Sequence, residues 1–307
     1  MNTPAPIAFF VYNRPAHTRR VLDSLKANPL SIESELFIFA DTPREFGAKG
    51  VSEVRNIILA LDGFKSIKII VRDHHFGLSK NTIGGLTQLS DSHGRFILVE
   101  DDTLVSPFFL EWSNHFLNVL KDEGRVAAIQ GGSYPVKLPN ENFFVCSGDT
   151  SGLCSWKRAW DLFEPNGRKL ADEISQKNLI RKFNFDGCFN YFGMLKDQIE
   201  GRNDSWSIRF YASILLKNKL TLYPTKSLVR NIGFDGTGTN CTAKTSAFDC
   251  SLAESPITFR VGPVEESKYA RQQIGGFLRM LNFRIFFDLF IHLRWMTIGK
   301  ALWKRLQ

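Results

Sequence analysis

The chain of 307 residues has no Cys-x-x-Cys pair, and its five cysteines (146, 154, 188, 241 and 250) are irregularly spaced. That excludes a paired-thiolate zinc site and leaves reduced thiols in a cytosolic setting. No run of about 18 uncharged apolar residues occurs, so no transmembrane helix is expected. The opening MNTPAPIAFF lacks a basic segment followed by a long apolar one, so no secretory leader is expected either. Neither GxGxxG nor GxxxxGK[ST] follows the first apolar run, which argues against a fingerprint-type dinucleotide fold and a P-loop. There is no internal repeat. Acids are scarce in one region: residues 268–307 hold eight Lys/Arg against the single Asp288, and so carry +7 of the net +8. A near-neutral body with a basic tail is not the pattern of a nucleic-acid binder, whose charge would be spread over the fold.

What is present is an alternation. Short apolar runs at Ile7–Tyr12, Leu36–Ala40, Ile67–Val71, Phe96–Val99 and Val126–Ile129 read as buried strands. Segments of helical period separate them: Pro15 onward with Val21, Leu22 and Leu25, then 51–61, 79–89 and 107–120. Short strands alternating with helices predict a parallel α/β sheet covered on both faces. Ligands in such sheets bind beyond the carboxyl ends of the strands. Those ends carry Asn13-Arg14, Asp41, Asp73-His74-His75 and Glu100-Asp101-Asp102, which should converge on one crevice. The second half is less regular: a helix near 205–217, a strand near 220–223, and a loop-like, Gly/Thr/Ser-rich stretch over 231–266.

Three adjacent carboxylates closing a buried strand repel one another unless a cation sits among them. Hard oxygen ligands suit Mg²⁺ or Mn²⁺, which take one or two carboxylates and complete the shell with water and phosphate oxygens. The plainer alternative is a solvated turn. Arg14 and Asp41 likewise have plainer readings as turn residues, and the 231–240 loop as a linker.

FILVEDD at 96–102 resembles the DxD-type motif of GT-A glycosyltransferases, in the Glu-Asp-Asp form of N-acetylglucosaminyltransferase I-like enzymes. YNRPAHTRRVLDSL (12–25), FIFAD (37–41), HFGLSKNTIGGL (75–86), SGLCSWKRAWDLF (151–163) and LYPTKSLVRNIGFDGTGTN (222–240) resemble the same family in order and spacing. The resemblance covers roughly residues 5–245 and extends to bacterial sugar transferases of surface polysaccharide synthesis. It implies an α/β GT-A fold: a mostly parallel Rossmann-like central sheet with helices on both faces, plus a C-terminal amphipathic helical tail. The implied division is a catalytic domain over 1–266, with a nucleotide-sugar half (1–132) and an acceptor half (133–266), followed by the tail (267–307).

The implied activity is metal-dependent, inverting transfer of a hexosyl or N-acetylhexosaminyl group. The donor would be a nucleoside diphosphate sugar, UDP-sugars favoured, and the acceptor a glycan or lipid-linked glycan. The alternative is a non-catalytic nucleotide-sugar-binding or membrane scaffold protein of the same fold. By the resemblance, Arg14, Asp41 and His75 would hold the nucleotide. Glu100 and Asp101 would contact the donor, Asp102 would ligate Mn²⁺ or Mg²⁺, and Gly236-Thr237-Gly238 would close over the diphosphate.

The position of the base departs from the family pattern. The family places an acid directly before a tryptophan at a helix start, and here Ser205 precedes Trp206. Asp204, one residue earlier, is the candidate base or else a helix cap, with Asp186 and Asp149 as substitutes. Most of the aromatics around Trp156, Trp160 and Trp206 should be core, although Trp206 could stack on a sugar face. The tail over 277–307 fits an interfacial helix on an anionic membrane, or a helix packed on the protein or on a second subunit. With the membrane reading, the expected location is peripheral, on the cytoplasmic face of a bacterial plasma membrane.

Overall fold

The computed structural model describes residues 3–44, 49–236 and 247–282. Its first half follows the alternation of the sequence. β1 (Ile7–Val11), α1 (Pro15–Lys26), β2 (Glu35–Ala40), α2 (Lys49–Leu59), β3 (Ser66–Val71), α3 (Gly77–His93) and β4 (Arg95–Glu100) alternate, with one short 3-10 turn (Pro29–Glu33) between α1 and β2. β5 (Thr103–Val105), α4 (Phe109–Val119) and β6 (Val126–Gln130) follow. Then come β7 (Asn142–Val145), β8 (Leu153–Trp156), α5 (Lys157–Trp160), α6 (Gly167–Gln176), α7 (Ile180–Phe183) and α8 (Tyr191–Ile199). α9 (Trp206–Leu216), β9 (Leu220–Tyr223), β10 (Val229–Asn231), β11 (Val261–Glu266) and a last helix, α10 (268–282), complete the described chain.

Nine strands form one sheet in the order β11-β7-β9-β6-β8-β4-β1-β2-β3, while β5 and β10 pair separately. β4, β1, β2 and β3 run parallel. β1, β2 and the apolar part of β4 are buried on both faces, as strands flanked by helices must be. β3 lies at the edge, and its pattern SIKIIV carries Lys68 in mid-strand, a charge that discourages further pairing.

The sheet is mostly parallel, as expected, and its antiparallel strands lie in the second half. β8 inserts antiparallel to both β4 and β6, and β7 runs antiparallel to β9. Leu153-Cys154-Ser155-Trp156 is fully buried yet too short to show a period, so its strand character was hidden. The 231–266 stretch is not all loop: it ends in β11, which pairs with β7 at the other edge. Its Gly-Pro pair (262–263) masks a strand in the sequence, and an edge is where proline is tolerated.

Two apolar layers sandwich the sheet. One face packs Val21, Leu22 and Leu25 of α1 with Val54 and Ile58 of α2 and Phe116 of α4. The other packs Leu86 and Leu89 of α3 with Trp160, Trp206 and Phe210. Trp206 is 2% exposed, with its ring 6.1 Å from that of Trp160, so it is a core residue and not a sugar platform. A third cluster sets Ala270, Ile274, Phe277, Leu278 and Leu281 of α10 against Phe143, Val145 and Tyr223. These five positions recur at helical spacing and form one apolar stripe. The stripe faces protein over the described part of the tail; residues 283–307, most of the segment for which a membrane surface was expected, lie outside the described residues. Among the described residues no helix is long and apolar enough to cross a membrane.

Candidate functional site

The register of the parallel strands brings their carboxyl ends level. Phe10 pairs with Glu100, Val11 with Ala40, and Ala40 with Val71. The residues that follow these positions therefore open onto one crevice, in two groups.

The first group joins β1 to β4. Arg14 stands at the start of α1, and Pro15, with no N–H to leave unsatisfied, occupies the first helical position. The Arg14 guanidinium donates to Asp102 Oδ2 at 2.9 Å and lies 3.9 Å from Asp101 and 3.7 Å from Asp235. Asn231 reaches Asp102 from β10, and the Ile232 N–H donates to the Asp102 carbonyl at 2.8 Å. His17, one turn into α1, lies 3.1 Å from Asp235 and 3.3 Å from the Ile232 carbonyl. The 231–235 segment is thus strapped across the acid triplet. Gly233 makes this possible, because a Cβ there would collide with the Asp102 carboxylate.

The electrostatics follow from burial. Glu100 is pushed up to about 8, first by burial and then by the charges of Asp102, Asp101 and Asp149. Asp101 is pushed up to about 7 by burial and Asp102, against the opposing pull of Arg14 and the Tyr12 backbone. Asp149, in the loop before β8, is also raised by burial, partly offset by the N–H groups of Ser151 and Thr150 and by Gln130. Like charges held in a low-dielectric site favour protons or a cation.

The second group joins β2 to α3. The Asp41 carboxylate is buried and accepts from the backbone N–H groups of Thr42, Phe76 and Gly77, each at 2.9 Å. His75 Nδ1 lies 2.8 Å from the Thr42 carbonyl and 3.1 Å from Asp41. Asp41 thus fixes the loop that carries His75. Gly77, with φ +76°, lets the chain turn into α3 there. Asp204 reaches the same helix start and accepts from the Ser79 N–H at 3.2 Å. The cap of α9 is Ser205 itself, whose hydroxyl accepts from the Ile208 N–H. Tyr12 links the two groups: its backbone serves Asp101, and its ring lies 5.4 Å from that of His75.

The structure therefore brings together Arg14, Asp101 and Asp102 in one group, with Glu100 beside them, and Asp41, His75 and Asp204 in the other. Asp73 and His74 pair with each other in solvent, outside the crevice. Asp186 is not at the site but forms an ion pair with Arg271 of α10 at 2.6 Å. Gly236 has φ +88° at the end of the strap, while Thr237 and Gly238 lie outside the described residues. Sequence reasoning missed His17, Asn231, Gly233 and Asp235. His17 sits one helical turn from Arg14, a spacing that could have flagged it; the other three are brought in only by the β5–β10 pairing. No three His, Cys, Asp or Glu side chains gather as a ready metal cage among the described residues.

Fold and site together define an α/β protein with a mostly parallel central sheet and an acidic strand-end crevice. No family model and no curated protein matches the chain. Solved structures resemble parts of it. TarS of S. aureus is 15% identical with a TM-score of 0.37, over 53% of this chain and 29% of that one. The mannosyltransferase PcManGT from Pyrobaculum calidifontis, in complex with GDP-Man and Mn²⁺, is 11% identical with a TM-score of 0.34, over 57% and 47%. A putative nucleotide-diphospho-sugar transferase from Desulfovibrio desulfuricans G20 is 12% identical with a TM-score of 0.35, over 52% and 68%. The chain spans less than half the length of the first two. These are partial likenesses, and the reading of the site rests on its own geometry.

Proposed function

We propose that this chain is a glycosyltransferase that moves a sugar from a nucleoside diphosphate sugar to a glycan or lipid-linked acceptor. The observation that carries the reading is the partly buried acid triplet at the carboxyl end of β4, with Arg14 against Asp101 and Asp102. Buried carboxylates that push one another toward protonation fit a site made for a divalent cation. Mn²⁺ or Mg²⁺ needs only one or two carboxylates when phosphate oxygens complete its shell. Asp102 would hold the ion, with Asp235 beside it, and the ion would offset charge on the departing diphosphate.

The chain's own residues then have distinct tasks. Arg14 is a cation next to the acids and can turn to a phosphate oxygen. Glu100 and Asp101 offer hydrogen-bonding groups to the ribose and the donor sugar. Asp41 holds His75 and the turn into α3 rather than reaching the nucleotide itself, because its oxygens are occupied by backbone donors. Gly236 and the residues after it would close over the diphosphate.

For an inverting transfer, one carboxylate must take the acceptor proton. We assign this to Asp204, which is exposed and uses one oxygen on Ser79. Asp149 is the second reading, favoured by its nearness to Glu100. Calorimetry with UDP- and GDP-sugars, with and without Mn²⁺, tests the function. Binding should require metal and disappear in Asp102→Ala; if no nucleotide binds, or the variant binds normally, the assignment fails. Comparing turnover of Asp204→Asn with Asp149→Asn then decides the base.

A further inference from the structure

A cavity of about 1040 Å³ lies apart from the acid triplet. It lies along α10, beside the loop after β6 at Val136 and the loop at Asp186 and Cys188. Lys268, Arg271, Gln272, Gln273 and Arg279 line it from the helix. Lys268, Gln272 and Arg279 fall along one stripe, at spacings of four and seven residues.

The three cations are not equivalent. Arg271 is an anchor: it donates to Asp186 at 2.6 Å, to Glu266 at 2.9 Å and to the Lys182 carbonyl, and only 12% of its side chain is exposed. Its charge is answered by two acids. Lys268 has no acidic partner among the described residues. Arg279 has one described partner, the Cys188 sulfur at 3.3 Å. A thiol is a weak acceptor, whereas a guanidinium offers five N–H groups in a fork matched to phosphate or carboxylate. Two cations with unfilled capacity and two amides, beside apolar Val136 and Phe277, make a wall suited to an anionic group carried on a polyhydroxylated molecule.

The cavity is also close to the crevice. Tyr134, two residues before Val136, has its ring 6.0 Å from that of Phe277 of α10 and feels the charge of Asp149. Asp149 in turn acts on Glu100. The Gly132 N–H donates to the Ser151 carbonyl at 3.2 Å, so the loop that runs on to the cavity at Val136 also holds the loop of Asp149, toward the side of the sheet away from β3.

We infer that this cavity receives the phosphate-bearing part of the acceptor, held by Lys268 and Arg279. This rests on the transferase reading and names the substrate class it left open. The acceptor would be a phosphorylated glycan or a lipid-linked diphosphate sugar, which share the anionic group the cavity recognises.

The test is calorimetry of the full chain with sodium pyrophosphate in EDTA, so that no divalent ion is available to the donor site. Saturable binding is expected, weakened at least tenfold in Lys268→Gln/Arg279→Gln, retained in Lys268→Arg/Arg279→Lys, and unchanged in Asp102→Asn. Both side chains are exposed, so circular dichroism should find the double variant folded. Absence of binding, binding indifferent to the double variant, or binding lost in Asp102→Asn overturns the inference. Glucose 1-phosphate in solution and vesicles carrying a polyprenyl diphosphate then separate the two sources by competition with pyrophosphate; if neither competes, the acceptor assignment is overturned. Nucleotide binding with Mn²⁺ is read separately. A chain that binds pyrophosphate in the cavity but no nucleotide has lost the transferase reading and kept the anion site, whereas the reverse result removes the cavity alone.

Discussion

Removing the Arg14 guanidinium takes away the one cation that the described residues place against Asp101 and Asp102. Arg14→Gln should cost roughly 1–3 kcal/mol at pH 8, the usual penalty for unpairing a poorly solvated charge. Saturating Mn²⁺ should recover most of it, as followed by thermal melting. An unchanged melting temperature would mean that water, not Arg14, screens the triplet. The acids make a second prediction, with a definite sign. Glu100 has an ordinary value of 4.5 and is held near 8 in the fold, and Asp101 is held near 7. Between those values the folded state keeps protons that the unfolded chain has released, so stability is highest below about pH 4.5 for this pair and falls as pH rises toward 8. The metal-free protein should melt roughly 3–8 °C lower at pH 8.5 than at pH 5.5. Glu100→Gln should flatten that slope, and a slope of the opposite sign would contradict the burial of the triplet.

Elements carry these residues, and two element ends matter most. The start of α3 collects two carboxylates, Asp41 and Asp204, on its N–H groups. A helix N-terminus favours anions, and here the protein supplies its own, so a diphosphate has no vacancy there. Asp41→Asn should therefore loosen the His75 loop and cost about 1 kcal/mol or more before any nucleotide is added. Hydrogen exchange at Phe76 and Gly77 would register the loss; unaltered protection would show that the cap is dispensable. The start of α9 is simpler. Ser205 looked like a missing catalytic acid, and the structure gives it an ordinary occupation, capping Ile208. Ser205→Ala should cost about 1 kcal/mol in unfolding free energy, and Ser205→Asp should restore it. If Ser205→Ala abolishes turnover without touching stability, the cap is not its role.

At the scale of the whole molecule, α10 is part of the core and not an appendage. Ile274 is fully buried among residues of β7 and β9, so Ile274→Ala should cost roughly 2–5 kcal/mol in denaturant unfolding. A negligible cost would mean that the helix is only loosely docked. The sequence carried a clear sign of α10 in the spacing of 270, 274, 277, 278 and 281, but that stripe reads the same whether its partner is lipid or protein. Periodicity reports that a face is apolar; it does not report what covers it.

The parallel half of the fold was legible because each of its strands is an apolar run ended by a polar residue, and its helices show a period. The strand-end positions of Arg14, Asp41, His75 and the acid triplet followed from that alternation. β8 and β11 were not legible, because four buried residues have no measurable period and a Gly-Pro pair imitates a loop. Local chemistry along the chain thus determined which side chains stand at the ends of the parallel strands. Only the tertiary structure decided how they are used. The β5–β10 pairing is a long-range contact that carries Asn231, Gly233 and Asp235 to Asp102, and the approach of α9 to α3 turns Asp204 away from its own helix. Such contacts join residues more than a hundred positions apart, and no local pattern encodes them.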